Sequence, residues 1–438
     1  MTTTVTTASQ TATTVVIAES GGQGLPGADG ADGAGFNQVR KSLIDNPLCH
    51  LFKTNKLVEA SAPTGTDSDV TWTRSTPGTY IDRYGAMQTA AIDTPREEKE
   101  GFLIEGASMN LALHSEDIGD AAWVKQSSVV VVNSTASPDG NLTADKIIPD
   151  NASNGYLTQL TSFTSGGKYS ASIFAKAAEF DTIEIVAPAS IAGSDVSASY
   201  DLTNGVLVNS GADSAKITPL ADGWFRCSIS ITAASTVAGS FQYAKVLGGD
   251  GSSGVYVFGL SVENLPFSTS YIKTIASTVA RTKDYVTVDS YNNLSKGLST
   301  VSLTVDLTGV GAGNGVSSFY SYRSTAIANN ATFFYNNGDI KYYDGTNTPT
   351  LSTTTLTENP NNYMLTIDGE PTTSELKYYE NGVLESIKNA GTENIDFTRP
   401  LEIGSTNEGN NTMYGHVKDF RAYDFILNSI EATYLAGV

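Results

Sequence analysis

Tyr169-Ser170-Ala171-Ser172-Ile173-Phe174-Ala175 reads as a short β-strand, and the same reading repeats on either side of it. Thr182-Ile183-Glu184-Ile185-Val186 and Val255-Tyr256-Val257-Phe258-Gly259-Leu260 are runs of the same kind, rich in β-branched and aromatic residues. The pairs Asp139-Gly140, Asn204-Gly205 and Asp222-Gly223 separate such runs and suit tight turns. A second series begins with Thr300-Val301-Ser302-Leu303-Thr304-Val305 and continues through Thr332-Phe333-Phe334-Tyr335 and Tyr363-Met364-Leu365-Thr366-Ile367. It reaches Leu376-Lys377-Tyr378-Tyr379-Glu380-Asn381-Gly382, whose Asn-Gly pair predicts a type I′ hairpin. Strand runs at this spacing predict an all-β chain of tandem β-sandwich or jelly-roll domains.

The composition agrees. A length of 438 residues suits two or three domains, and 16 % charged with 40 % apolar residues places the chain among folded proteins. The net charge of −20 disfavours nucleic acid and anionic lipid as partners, since no basic stretch offsets it. Cys227 stands in Cys227-Ser228-Ile229-Ser230-Ile231, on the apolar phase of an alternating strand. With Cys49 far away in sequence, it reads as a buried free thiol, which fits folding in a reducing cytoplasm. Met1-Thr2-Thr3-Thr4-Val5 has neither the basic region nor the apolar core of a signal peptide, and no apolar run approaches a membrane span.

The chain divides by composition. Residues 1–20 are Thr-rich with one apolar patch at 14–18, and are expected to anchor the chain by pairing with a partner protein. Over 21–35, Gly21, Gly24, Gly27, Gly30 and Gly33 recur at every third position. That period is the requirement of a collagen-like triple helix, because only Gly fits at its axis; the plainer alternative is a flexible Gly-rich linker. A triple helix makes the chain a homotrimer. Residues 36–62 are expected to form a neck, with a short helix through Val39 and Leu43 ending before Pro47. A first sandwich is expected over 63–290 and a second over 291–438.

Several phrases resemble phage tail-fibre and tail-spike proteins. They run from Val70-Thr71-Trp72-Thr73-Arg74 through Tyr80-Ile81-Asp82-Arg83-Tyr84-Gly85, Asp93-Thr94-Pro95-Arg96 and Gly101-Phe102-Leu103-Ile104-Glu105-Gly106. Ala121-Ala122-Trp123, Asp222-Gly223-Trp224-Phe225-Arg226 and Ser268-Thr269-Ser270-Tyr271-Ile272 follow in the same order. In that family the phrases accompany a carbohydrate-binding-like sandwich. The C-terminal part is similar to laminin-G-like, concanavalin-type jelly rolls, on Tyr378 to Leu384, Leu401-Glu402-Ile403-Gly404 and Gly415 to Asp424. Ile430 to Leu435 would be its closing helical turn, and the serine usual just before that turn is less clearly placed here, where Leu427-Asn428-Ser429 stands.

The sequence carries no recognisable catalytic or metal-binding motif. His50, His114 and His416 are scattered and form no ligand pattern. Glu97-Glu98-Lys99-Glu100 reads as a solvated turn, and no pair of carboxylates suggests glycan cleavage. Trp72, Trp123 and Trp224 sit within the recurring phrases and are expected in cores. Sugar recognition needs aromatic faces beside Asn and Asp. The richest such stretch is Phe333 to Asn347, where Tyr335, Tyr343, Asp344 and Asn347 are the candidate receptor contacts against a purely structural role. The expectation is therefore a phage tail fibre that is not an enzyme and carries no metal or cofactor. It would be made in the host cytoplasm, assembled as a trimer on the virion, and would bind a host-surface glycan or protein. A head fibre or decoration appendage is the alternative, and a capsule- or lipopolysaccharide-degrading spike ranks third.

Overall fold

In the computed structural model the opening run lies within the strand Lys168–Lys176, which is buried on both faces over most of its length. The structure describes residues 2–5, 15–18, 45, 49–53, 56–60, 70–288, 300–309, 316–322, 331–336, 338–343, 348–353, 361–368, 375–389, 400–406, 411–423 and 425–436. The Gly-x-y positions Gly21 to Gly33 and the expected neck helix through Val39 and Leu43 lie outside them. The chain forms two units, Met1–Asp45 and Asn46–Val438. In the first, Thr2–Val5 pairs antiparallel with Val15–Ala18.

The second unit contains two β-sandwiches, one inserted in the other. The inserted sandwich has two six-stranded antiparallel sheets. One runs Val124–Gln126, Gly155–Thr158, Gln242–Val246, Thr182–Ala187, Val196–Asp201, Val206–Ser210. The other runs Ser128–Thr135, Ala144–Pro149, Val255–Glu263, Lys168–Lys176, Trp224–Thr232, Ser214–Pro219. Alternation along Lys168–Lys176 sends Tyr169, Ala171, Ile173 and Ala175 into the core between these sheets, with Cys227 and Ile229 from the neighbouring strand. Phe174 points the other way and packs with Met87, Trp224, Phe258 and Tyr271 in a smaller cluster outside the sandwich. Cys227 is a buried free thiol, and Trp72, Trp123 and Trp224 are all buried, as read from the sequence.

The outer sandwich does not follow the expected boundaries at 63 and 291. Its seven-stranded sheet runs Thr350–Thr353, Asp339–Tyr343, Ala331–Asn336, Val316–Tyr322, Leu401–Ile403, Tyr285–Val288, Val70–Thr73. Its eight-stranded sheet runs Val383–Asn389, Glu375–Glu380, Asn361–Asp368, Thr300–Gly309, Tyr414–Tyr423, Cys49–Lys53, Lys56–Ala60, and Phe102–Ile104 also pairs with Tyr414–Tyr423. Strands from before residue 105 and after residue 284 thus share one core, in which Trp72, Phe102 and Val286 meet Leu303, Phe319 and Phe420. The chain leaves this sandwich through Ser108–Asn110 and returns through Val279–Arg281, and these two strands pair antiparallel with each other. The sandwich between them is an insertion. No helix among the described residues is long and apolar enough to cross a membrane.

Candidate functional site at the seam of the sandwiches

The entry and exit of the insertion are fastened by buried charge. Asp284 accepts from Arg74 Nη1 at 2.9 Å, Arg96 Nη2 at 2.5 Å, Trp72 Nε1 at 3.0 Å and the Glu105 backbone N–H at 2.9 Å. Glu105 in turn accepts from Arg96 at 2.7 Å and from the backbone N–H and hydroxyl of Ser270 at 2.8 and 2.7 Å, with Arg281 at 3.3 Å. All five charged side chains are buried. Burial alone would raise the pKa of Glu105, but Arg281, Arg96 and the Ser270 bonds outweigh it and hold the carboxyl far below the ordinary carboxylate range. Phrases distant in sequence, around Arg74, Arg96, Glu105 and Ser270, therefore converge on one point.

Beside this knot lies a cleft between the sandwiches. Alternation explains which residues reach it. Val305, Leu307 and Val417 face the core of the outer sandwich, so Asp306 and His416, opposite each other in register, face out. The segment 97–100 lies over them. The turn at Asp82 to Gly85 forms the rim, with Asp82 accepting from the backbone N–H groups of Tyr84 and Ala86. Gly85 has φ +86°, and its position leaves no room for a Cβ, which would stand 2.7 Å from Ala221 N of the inserted sandwich. Lys216, Thr218 and Leu220 of that sandwich make the far wall. The cleft has a volume of about 620 Å³ and adjoins a smaller cavity of about 170 Å³. Tyr84, 82 % exposed, stands at its mouth.

Two polar side chains are fixed inside it. Glu98 Oε1 accepts from the Ile81 backbone N–H at 2.7 Å, and Oε2 meets His416 Nε2 at 2.8 Å. Burial opposes charge on His416, yet the Glu98 bond, with Asp306 and Glu100 nearby, prevails and raises its pKa. One ligand atom each from Glu98, Glu100 and His416 lies within 4.8 Å of the others. Glu98, expected in a solvated turn, and His416, isolated in sequence, are thus brought together by the fold. The signal was the outward phase of His416 in the strand Tyr414–Tyr423, which becomes readable only once its neighbours in the sheet are known.

The expected receptor contacts lie elsewhere. Tyr335 is a correction: it is packed in the core of the outer sandwich, where its ring cannot meet a receptor. Tyr343 is half-buried in the seven-stranded sheet, whereas the cleft is lined by the eight-stranded one. Asp344 and Asn347 lie outside the described residues. Alternation decides the difference, since Tyr342 and Tyr335 take the core face and Tyr343 the other.

No family model matches the chain, and no curated protein matches it. Among solved structures it is similar to the Ruminococcus gnavus IT-sialidase CBM40, with a TM-score of 0.27 and 19 % identity over 32 % of this chain and 82 % of that one. It is also similar to the botulinum neurotoxin type G receptor-binding domain, with a TM-score of 0.28 and 12 % identity over 35 % of this chain and 40 % of that one. Mouse laminin alpha1 domains LG4-5 match with a TM-score of 0.20 and 10 % identity, over 74 % of this chain and 93 % of that one.

Proposed function

We propose that this chain is one subunit of a homotrimeric phage tail fibre, docked on the virion through residues 1–20 and presenting its sandwiches to a glycan on the host-cell surface. The observation that carries this reading is the strict Gly period at 21–33 ahead of two β-sandwiches, since a triple-helical neck requires three parallel chains. Two further features support it. The inserted sandwich exposes Val129, Val131 and Val132 on one edge and Val206, Leu207 and Val208 on the opposite edge. A closed ring of copies joins two different patches head to tail, and these edges suit that arrangement. The seam cleft, walled by Glu98, Glu100, Lys216 and Asp306 with Tyr84 at its mouth, offers the mix of polar groups and aromatic face that sugars use.

Sedimentation of the full-length protein tests the assembly: the expected species has three times the 46.1 kDa chain mass, and a monomer removes the fibre. Labelled trimer is then expected to bind host cells and to lose binding after glycosidase treatment of the surface. Labelling on intact particles that marks heads instead of tails would replace the tail fibre with a head appendage.

A further inference from the structure

We propose that the cavity of about 170 Å³ beside the cleft holds a sugar ring bearing one carboxylate, of the uronic-acid kind, with Arg226 receiving the carboxylate. This rests on the reading of the seam as a glycan site and adds the chemical class of the sugar. The first observation is a guanidinium without an acid. Cys227 and Ile229 point into the core of the inserted sandwich, so Arg226 and Ser228, on the other phase of the strand Trp224–Thr232, face the seam. Arg226 Nη1 donates to the Thr269 carbonyl at 2.6 Å and Nη2 to Ser172 Oγ at 3.0 Å. The fork has five N–H donors, so one on each Nη and the buried Nε–H are left without an acceptor. The other described arginines, Arg74, Arg83, Arg96, Arg281 and Arg421, each have a carboxylate oxygen within 3.3 Å. Arg226 has none in contact, and Glu263, Glu105 and Glu98 act on it only at a distance. A cation withdrawn from water without a contacting counter-charge is costly, and an anion from outside relieves that cost.

The second is what surrounds this guanidinium. Across the sheet Arg226 stands in register with Phe174 on one side and Thr218 on the other, and its charge lies 5.3 Å from the Phe174 ring centroid. Ser268 is in the same cavity wall, with its hydroxyl buried and unpartnered. Thr79, Thr218, Ser228 and Thr308 add hydroxyl groups, and Met87 and Leu220 add apolar surface. Polar groups interspersed with apolar surface match the hydroxyls and C–H faces of a sugar ring. A cavity of about 150 Å³ is enough for one six-membered ring, so this one has room for a single sugar unit. The adjoining cleft of about 620 Å³ takes the rest of the glycan.

The third is the charge of the wall, which selects a carboxylate. Glu98 and Glu105 also line the cavity, but the first is bonded to Ile81 N–H and His416, and the second to Arg96 and Ser270. Lys216, in register with Ser228, is a second cation on the wall. A carboxylate matches the guanidinium fork with two parallel bonds and brings one charge, whereas a phosphate dianion brings more charge against the same two glutamates. The net charge of −20 repels dense polyanions, but screening at about 0.1 M salt confines that field to roughly 10 Å, and a single carboxylate inside the cavity meets Arg226 first.

The test titrates the full-length protein with D-glucuronate and D-galacturonate, and with D-glucose and D-galactose, which lack only the carboxylate, by saturation-transfer NMR. The uronates are expected to bind about tenfold or more tighter than their neutral counterparts. Arg226→Gln is expected to bring the uronates down to the neutral level. Thr218→Trp, at an exposed position of the strand Ser214–Pro219, places a large ring in the cavity and is expected to remove binding of all four sugars. Equal binding of acidic and neutral sugars by the wild-type chain overturns the proposal, and so does undiminished uronate binding by Thr218→Trp, even if Arg226→Gln fails to fold. Displacement of the uronates by an equal concentration of inorganic phosphate would make this an anion site and overturn the sugar. Glycosidase-sensitive binding to host cells without any uronate preference rejects this inference and leaves the glycan reading standing, whereas absence of glycosidase-sensitive binding removes that reading itself.

Discussion

At the scale of single residues, the seam depends on Asp284. Its carboxylate joins Arg74, Arg96, Trp72 and the Glu105 backbone, all buried. Removing one member of a buried ionic cluster leaves its partners charged in a poorly polarisable setting, which costs about 3–5 kcal/mol. Asp284→Ala is therefore expected to lower the urea midpoint by that amount of stability, whereas Arg83→Ala, at a half-exposed pair with Glu97, should change it by no more than about 1 kcal/mol. Acid acts on the same cluster through Glu105. Its folded pKa is lowered, so its contribution is fully present above the unfolded value of about 4.3 and drains away as pH falls toward the folded one. Unfolding midpoints should stay level down to about pH 5 and then decline, and Glu105→Gln, though less stable at neutral pH, should flatten that acid limb. Equal acid slopes in the two proteins would show that Glu105 is not the group responsible. Asp284 was not legible in the sequence. Arg74, Arg96 and Glu105 fell within the phrases on which the tail-fibre resemblance was drawn, but a charge reveals its partners only when the chain has folded back over a distance such as the 210 positions separating Arg74 from Asp284.

At the scale of elements, local chemistry read well because its causes are local. Asn381 and Gly382 take φ +50° and +80°, as a type I′ turn demands, between Glu375–Glu380 and Val383–Asn389. The turn also docks. A Cβ on Gly382 would stand 2.7 Å from Thr433 Cα in the closing helix Ser429–Ala436. Gly382→Ala thus combines a disfavoured φ with a backbone clash and is expected to cost about 1–3 kcal/mol, measured as a loss in thermal stability. Asn381→Asp keeps the turn-forming residue type and should cost less; a reversed ranking would detach the turn from the helix. The helix start shows how a departure from a familiar pattern is repaired. Asn428 Oδ1 accepts from the N–H groups of Ile430 and Glu431, and Glu431 reaches back to the Asn428 N–H at 2.9 Å. That capping box places Asn428, rather than a serine, at the helix start. Tyr335 and Tyr343 show the limit of local reading: an aromatic run is visible in the sequence, but which ring faces the core is set by strand phase against neighbours that the run does not contain.

At the scale of the molecule, the all-β class was legible and the partition was not. Each run carries its own alternation, but nothing in a run says which sheet it joins, and an insertion reverses the simplest assumption that consecutive strands share a domain. The outer sandwich draws Leu51, Phe52, Val70, Trp72, Phe102, Ile104, Val286 and Val288 from outside residues 291–438. Burying one large apolar side chain stabilises by about 1.5–3 kcal/mol. The loss of all eight would match or exceed the 5–15 kcal/mol or so by which a whole domain is usually stable. A fragment of residues 291–438 is thus expected to lack a cooperative thermal transition and near-ultraviolet circular dichroism, while residues 46–438 unfold cooperatively. The fragment also lacks Phe102–Ile104 and Cys49–Lys53, so one side of the strand Tyr414–Tyr423 would be left with unpaired backbone and a tendency to aggregate. A sharp transition from the fragment alone would mean that these contributed strands decorate a sandwich already complete. Their contribution would then be to the seam and the cleft beside it rather than to the core.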